Sequence, residues 1–143
     1  MQTDETDAAL MALLAENARL PVATLARRLG LARTTVQARI DRLEAGGAIA
    51  GYTLRRGAQA RPPLHATALL SVEPRAGAAV LARLKTLSQV KRVHTASGRF
   101  DMIVELAADS TAALDETLDR IGEAKGVRSS ESLIHLSTKL DRA

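Results

Sequence analysis

Two consecutive prolines, Pro62 and Pro63, sit in the stretch RRGAQARPPLH at residues 55–65, and they divide the chain. The stretch carries a glycine and no apolar periodicity, and its prolines have no backbone N–H to give, so neither a helix nor a central strand continues through it. Upstream, apolar residues recur at helical spacing; downstream, strand-like and helical segments alternate. At 143 residues the chain has room for two small domains. We expect a mainly helical domain over 1–55, a linker over 56–63 and a mixed domain over 64–143.

In the first half, Thr3 or Asp4 can cap a helix whose first turn carries Glu5 and Asp7, and Leu10, Met11 and Leu14 form its apolar stripe. A second helix starts at Pro21, presents Val22, Leu25, Ala26 and Leu29, and stops at Gly30. A third runs from about Ala32 to Ala45, buries Val36, Ile40 and Leu43, and breaks at Gly46-Gly47. The short turn Leu29-Gly30-Leu31 makes the last two a helix-turn-helix, and AIAGYTLRR after them reads as a strand-like wing.

The charge of this half points to a polyanion. Residues 1–61 hold nine Arg or Lys against six Asp or Glu. Within 20–56, Arg27, Arg28, Arg33, Arg39, Arg42, Arg55 and Arg56 face only Asp41 and Glu44. With Val36, Ile40 and Leu43 inward, the opposite face of the third helix offers Thr34, Thr35, Gln37, Ala38, Asp41 and Arg42 to a DNA groove. Gln37 can pair with adenine, Thr34 or Thr35 can meet a thymine methyl or a phosphate, and Ala38 permits close approach. Arg33, Arg39, Arg55 and Arg56 are expected on phosphates, whereas Asp41 is repelled by them. One such domain makes a small interface, so specificity calls for two half-sites and a dimer supplied by the second half of the chain.

That second half reads β-α-β-β-α-β. LHATALLSVE is a strand, GAAVLARLKTLSQ a helix, VKRVHTA and FDMIVELAA a hairpin about Gly98, STAALDETLDRIGEAKG a helix, and VRSSESLIHLSTKL a last strand. This is the ferredoxin-like order, an α+β domain with helices on one sheet face and the other face in need of a cover. In the third strand Phe100, Met102, Val104 and Leu106 share one face, and Asp101, Ile103 and Glu105 the other.

The stretches TDETDAALMALLAENARLPVATLARRLGLARTTVQARIDRLEAGGAIAGYTL, SGRFD and GVRSSESLIHL together carry a resemblance that spans the chain: it is similar to the Lrp/AsnC regulators of bacteria and archaea. The resemblance implies a transcriptional regulator of double-stranded DNA. It also implies dimers built through the mixed domain, assembled into tetramers or octamers, with amino-acid effectors between those domains. It places the effector at Gly98, Arg99, Phe100 and Asp101, with Ser132 and its neighbour Ser130 in the last strand. A free amino acid is a zwitterion, so Asp101 suits its ammonium, and hairpin amides or Arg99 suit its carboxylate. Two departures stand out: Ala32 where the family has a capping serine, worth roughly 1 kcal/mol, and Thr3 where it has an apolar residue.

Other functions find less support in the residues. A ligand-independent architectural DNA-binding protein would use the same surface. A branch of the same architecture resembles sirohaem decarboxylases, but RRGAQARPPLHATALL offers only His65, and His94 and His135 stand apart in separate strands. No nucleophile elbow, phosphate loop or metal constellation is present, so no enzyme, metal or cofactor is expected. Zero cysteines exclude disulfides and thiolate zinc sites. An acidic N-terminus and the lack of an apolar run of membrane-spanning length point to a cytoplasmic protein with no membrane partner.

Overall fold

A computed structural model describes residues 2–142 and divides the chain into two compact units, Met1–Arg55 and Arg56–Ala143. The first unit is helical: α1 (Glu5–Glu16), α2 (Val22–Leu29) and α3 (Arg33–Ala45). Asp4 caps α1 in a reciprocal box, its side chain accepting from Asp7 N while Asp7 accepts from Asp4 N. Pro21 stands one position before α2 rather than inside it, with extended backbone. Gly30 ends α2 in a left-handed conformation, and Leu31 N reaches back to Ala26 O at 2.9 Å. Ala32 precedes α3 with no side-chain cap. The core gathers Leu10, Leu14, Leu25, Ala26, Val36, Ile40 and Leu43, with Met11 and Leu29 at its edge.

The expected wing is not a strand. Residues 48–57 form no ladder, because among the described residues this unit holds no strand for them to pair with. The segment docks on the helices instead: Ile49 packs against the core and its N–H bonds Leu43 O, Tyr52 donates to Glu44 Oε1 at 3.0 Å, and Arg55 donates to Glu16 O at 3.3 Å.

In the second unit, residues 56–63 hold a single 3-10 turn at Ala58–Ala60, and Arg61 bonds both Arg56 O and the Asp141 carboxylate. There follow β1 (Leu64–Val72), α4 (Gly77–Lys85), β2 (Val90–Thr95), β3 (Met102–Ala108), α5 (Thr111–Gly122) and β4 (Val127–Ile134). The strands form one antiparallel sheet in the order β2-β3-β1-β4, the ferredoxin-like arrangement. Ala66, Ala68 and Leu70 of β1 and Met102, Val104 and Leu106 of β3 are buried with Val80 and Leu84 of α4 and Leu114 and Ile121 of α5.

All four strands are shorter than expected, β1 and β2 by a single residue and β3 and β4 by more. β4 ends at Ile134, not near Leu140: His135 N bonds His65 O at 2.9 Å, and the next donor in that row of β1 would be Pro63, which has none. β3 begins at Met102, not Phe100, because Asp101 leaves the ladder to bond β1 at both its N–H and its side chain.

Candidate DNA-reading face and effector hairpin

α3 turns its apolar stripe fully inward. Val36 and Leu43 are completely buried and Ile40 nearly so, leaving Arg33, Thr34, Thr35, Gln37, Ala38, Asp41 and Arg42 exposed. Thr35, Ala38 and Arg42 follow one another at helical spacing along a single stripe. Gln37 Nε2 donates to Asp41 Oδ1 at 2.8 Å. The amide keeps a second N–H and its carbonyl oxygen, which are the pair that adenine requires. Asp41, expected only to repel phosphate, thus orients Gln37. Arg33, Arg55 and Arg56 are exposed, with Arg55 lying along the C-terminal end of α1.

Arg39 is placed differently from the sequence expectation. Its Nη1 donates to Asp4 Oδ2 at 2.8 Å and to Asp7 Oδ1 at 2.9 Å, and its side chain is three-quarters buried. Arg42 Nη2 donates to Asp7 Oδ2 at 2.6 Å while half its side chain stays in solvent. Arg39 is thereby tied into the fold through Nη1. The Arg39 hydrogen bond, with help from Asp7 N, holds the Asp4 carboxyl below the usual carboxylate range. For Asp7, burial pushes upward, but the bonds from Arg39 and Asp4 N and the charge of Arg42 outweigh it, and the net direction is also down. Arg39 is correspondingly held above its ordinary value by Asp4 and then Asp7. Sequence reading offered Thr3 or Asp4 as the cap and missed the ion pairs; the available signal was the Asp-x-x-Asp box beside an Arg-x-x-Arg pair in another helix.

The hairpin between β2 and β3 is built by Gly98, at φ +126°, and closed by Ala96 N bonding Asp101 O at 2.9 Å. The Arg99 guanidinium lies 5.3 Å from the centroid of the half-buried Phe100 ring. Asp101 N donates to Leu70 O, and Asp101 Oδ2 accepts from Val72 N, both at 2.8 Å. One carboxylate oxygen therefore serves the sheet. Ser130 pairs with Leu70 and Ser132 with Ala68, so both hydroxyls lie on the helix-bearing face of the sheet. The opposite face of the sheet is the open one, and Asp101, which lies before β3, reaches the β1 backbone at Val72 with its carboxylate.

That opposite sheet face carries Thr67 and Leu69 of β1, Ile103 and Glu105 of β3 and Leu133 of β4, none fully buried. Glu105 lies 3.7 Å from Arg92 and 3.5 Å from His94 across the β2 pairing. His65 and His135 stack with centroids 6.4 Å apart, and His135 Nε2 lies 2.8 Å from Thr67 Oγ1. Among the described residues no group of three or more His, Asp or Glu side chains is gathered to hold a metal. No described helix is long and apolar enough to cross a membrane.

A helix-turn-helix unit with a basic, exposed third helix, followed by a ferredoxin-like domain, defines a class: DNA-binding regulators with a ligand-binding domain. Residues 4–44 match the AsnC-type helix-turn-helix domain and residues 65–143 match the Lrp/AsnC ligand binding domain. The chain belongs to the Lrp/AsnC family, as the sequence resemblance implied, and is a transcriptional regulator. It is 29% identical over 133 residues to the HTH-type transcriptional regulator LrpA of Mycobacterium tuberculosis, covering 92% of this chain and 89% of that protein. The crystal structure of that LrpA superposes with a TM-score of 0.80 at 30% identity, covering 97% of this chain and 96% of the other. The fold is shared more closely still with Escherichia coli AsnC, at TM-score 0.91 and 23% identity over 100% and 98% of the two chains. A Neisseria meningitidis regulator, solved as its complex with L-methionine, has TM-score 0.90 and 22% identity over 98% and 94%.

Proposed function

We propose that this chain is a cytoplasmic regulator that binds operator DNA as a homodimer or a larger assembly, and that an amino acid alters its assembly or its DNA affinity. The α3 stripe reads base edges through Thr34, Thr35, Gln37 and Ala38. Arg33, Arg42, Arg55 and Arg56 supply phosphate contacts. A second copy covers the open sheet face. The effector sits at Gly98, Arg99, Phe100 and Asp101, with Ser130 and Ser132 of the last strand, at an interface between copies. Resemblance to a regulator solved with L-methionine supports the class of ligand.

The observation that carries the DNA reading is the clean division of α3, with Val36, Ile40 and Leu43 buried and its polar face wholly exposed. The effector reading is tested by screening the twenty amino acids for changes in oligomer size and operator affinity. The variant Asp101→Asn is then compared, because asparagine keeps an acceptor for Val72 N while removing the charge that an ammonium needs. We expect the response to be lost and operator binding retained. Unchanged ligand affinity in Asp101→Asn would sink the pocket assignment.

A further inference from the structure

The Asp4-Asp7-Arg39-Arg42 network is more than a surface decoration, because Asp7 is completely buried. A buried carboxylate is costly unless its oxygens are satisfied. Those of Asp7 take Arg39 at 2.9 Å, Arg42 at 2.6 Å and Asp4 N at 3.2 Å. Arg39 and Arg42 are one turn apart on α3, so a single carboxylate on α1 grips the recognition helix at two points and fixes its rotation about its own axis.

The two arginines differ in what they have left to offer. Arg39 gives one nitrogen to three carboxylate oxygens and is 25% exposed. Arg42 gives one nitrogen to Asp7, is 53% exposed, and stands in the stripe of Thr35 and Ala38. A guanidinium has five N–H groups in a rigid fork, so Arg42 can serve Asp7 with one edge and a phosphate with another. Held in advance, it has less side-chain freedom to lose when DNA binds.

We propose that Asp7 is a positioning residue for DNA binding: its buried carboxylate touches no DNA, but it holds the Arg42 guanidinium at the edge of the reading stripe and locks the rotation of α3. This rests on the reading of α3 as the DNA-contacting helix. The opposite role is physically distinct, because a carboxylate that merely neutralised Arg42 would weaken phosphate binding, and its removal would tighten the complex.

The test is a double-mutant cycle on DNA affinity with the full chain. An operator duplex is selected by the wild-type protein from a randomised pool. Affinity is measured against salt for wild type, Asp7→Asn, Arg42→Ala and the double variant, at a temperature where circular dichroism shows all four folded. We expect Arg42→Ala and Asp7→Asn each to weaken binding by about tenfold and to reduce the salt slope by about 0.9 per bound subunit. The loss in the double variant should fall well short of the product of the two single losses, the remainder coming from the seat of α3 that Asp7 still holds through Arg39. Wild-type or tighter binding by Asp7→Asn overturns the inference, as do additive effects in the cycle. If Asp7→Asn fails to fold, Asp7→Glu keeps the charge and moves the carboxylate by one bond. Weakened binding that Arg42→Ala abolishes as a separate effect then supports positioning, and wild-type affinity refutes it. Gln37→Ala keeps the two readings apart: if it alters sequence preference while Asp7 and Arg42 variants do nothing, only the positioning role fails. If none of the three matters, α3 is not the reading helix.

Discussion

Arg33 and Arg39 both look like phosphate ligands on α3, yet the structure separates them, and salt dependence exposes the difference. Arg33 opens α3 in solvent, whereas the Arg39 guanidinium is shared between Asp4 and Asp7 within 3.0 Å. Each neutralised phosphate contributes about 0.9 to the slope of log affinity against log salt, so losing one contact from each subunit of a dimer lowers the slope by about 1.8. Across a fourfold rise in salt, from about 50 to about 200 mM, that amounts to about a twelvefold difference in how far affinity falls. Arg33→Ala is therefore expected to bind more weakly than wild type at low salt and to approach it as salt rises. Arg39→Ala removes no phosphate contact; it loosens the seat of α3 on α1, so it lowers thermal stability and affinity while the slope stays at the wild-type value. Fluorescence anisotropy with a labelled operator duplex over that salt range reads both quantities. A slope for Arg39→Ala reduced as much as that of Arg33→Ala would refute the assignment of Arg39 to the fold.

Two further expectations concern stability. A Cβ added at Gly126, where φ is +99°, would lie 2.6 Å from Ala76 Cβ and 3.2 Å from Val80 Cγ2, whereas at Gly98, with φ +126°, it would meet nothing within 4 Å. Both alanine variants take on backbone strain of about 1 to 3 kcal/mol, but Gly126→Ala must also displace α4, for about 1 to 3 kcal/mol more. Urea unfolding should rank Gly126→Ala clearly below Gly98→Ala, and equal losses would show that the Ala76 contact relaxes freely. Acid is expected to weaken the helical unit through Asp4 and Asp7. Their carboxyls are held below the usual range in the folded state, so the stability they contribute is present above about pH 4 and is lost as pH falls through their folded values. Arg39→Ala, lacking the main cause of the shift, should lose less stability than wild type between about pH 4 and pH 2, as followed by helical ellipticity.

What the sequence disclosed, and what it withheld, divides along one physical line. Features set by neighbours a few residues apart were legible: the Val36-Ile40-Leu43 stripe, the stop at Gly30, the box at Asp4, and the β-α-β-β-α-β order with its buried Met102, Val104 and Leu106. Features that depend on a distant partner were not. AIAGYTLRR has strand-like composition, but a strand exists only where another backbone offers its N–H and C=O groups, and the helices took this segment instead. Asp7 reads as a charge beside a helix N-terminus until α3 is folded over it and supplies arginines 32 and 35 residues away. The serines fail in the same way. Ser130 and Ser132 alternate correctly within β4, but only the pairing of β4 with β1 decides which face they take, and it sets them with Leu70 and Ala68 on the helix-bearing one. In the proposed reading, the pocket that uses them with Asp101 lies between copies of the chain. An effector held there would report on assembly as directly as on its own presence, and this joins the ligand-binding half of the molecule to the requirement of the reading helix for two half-sites.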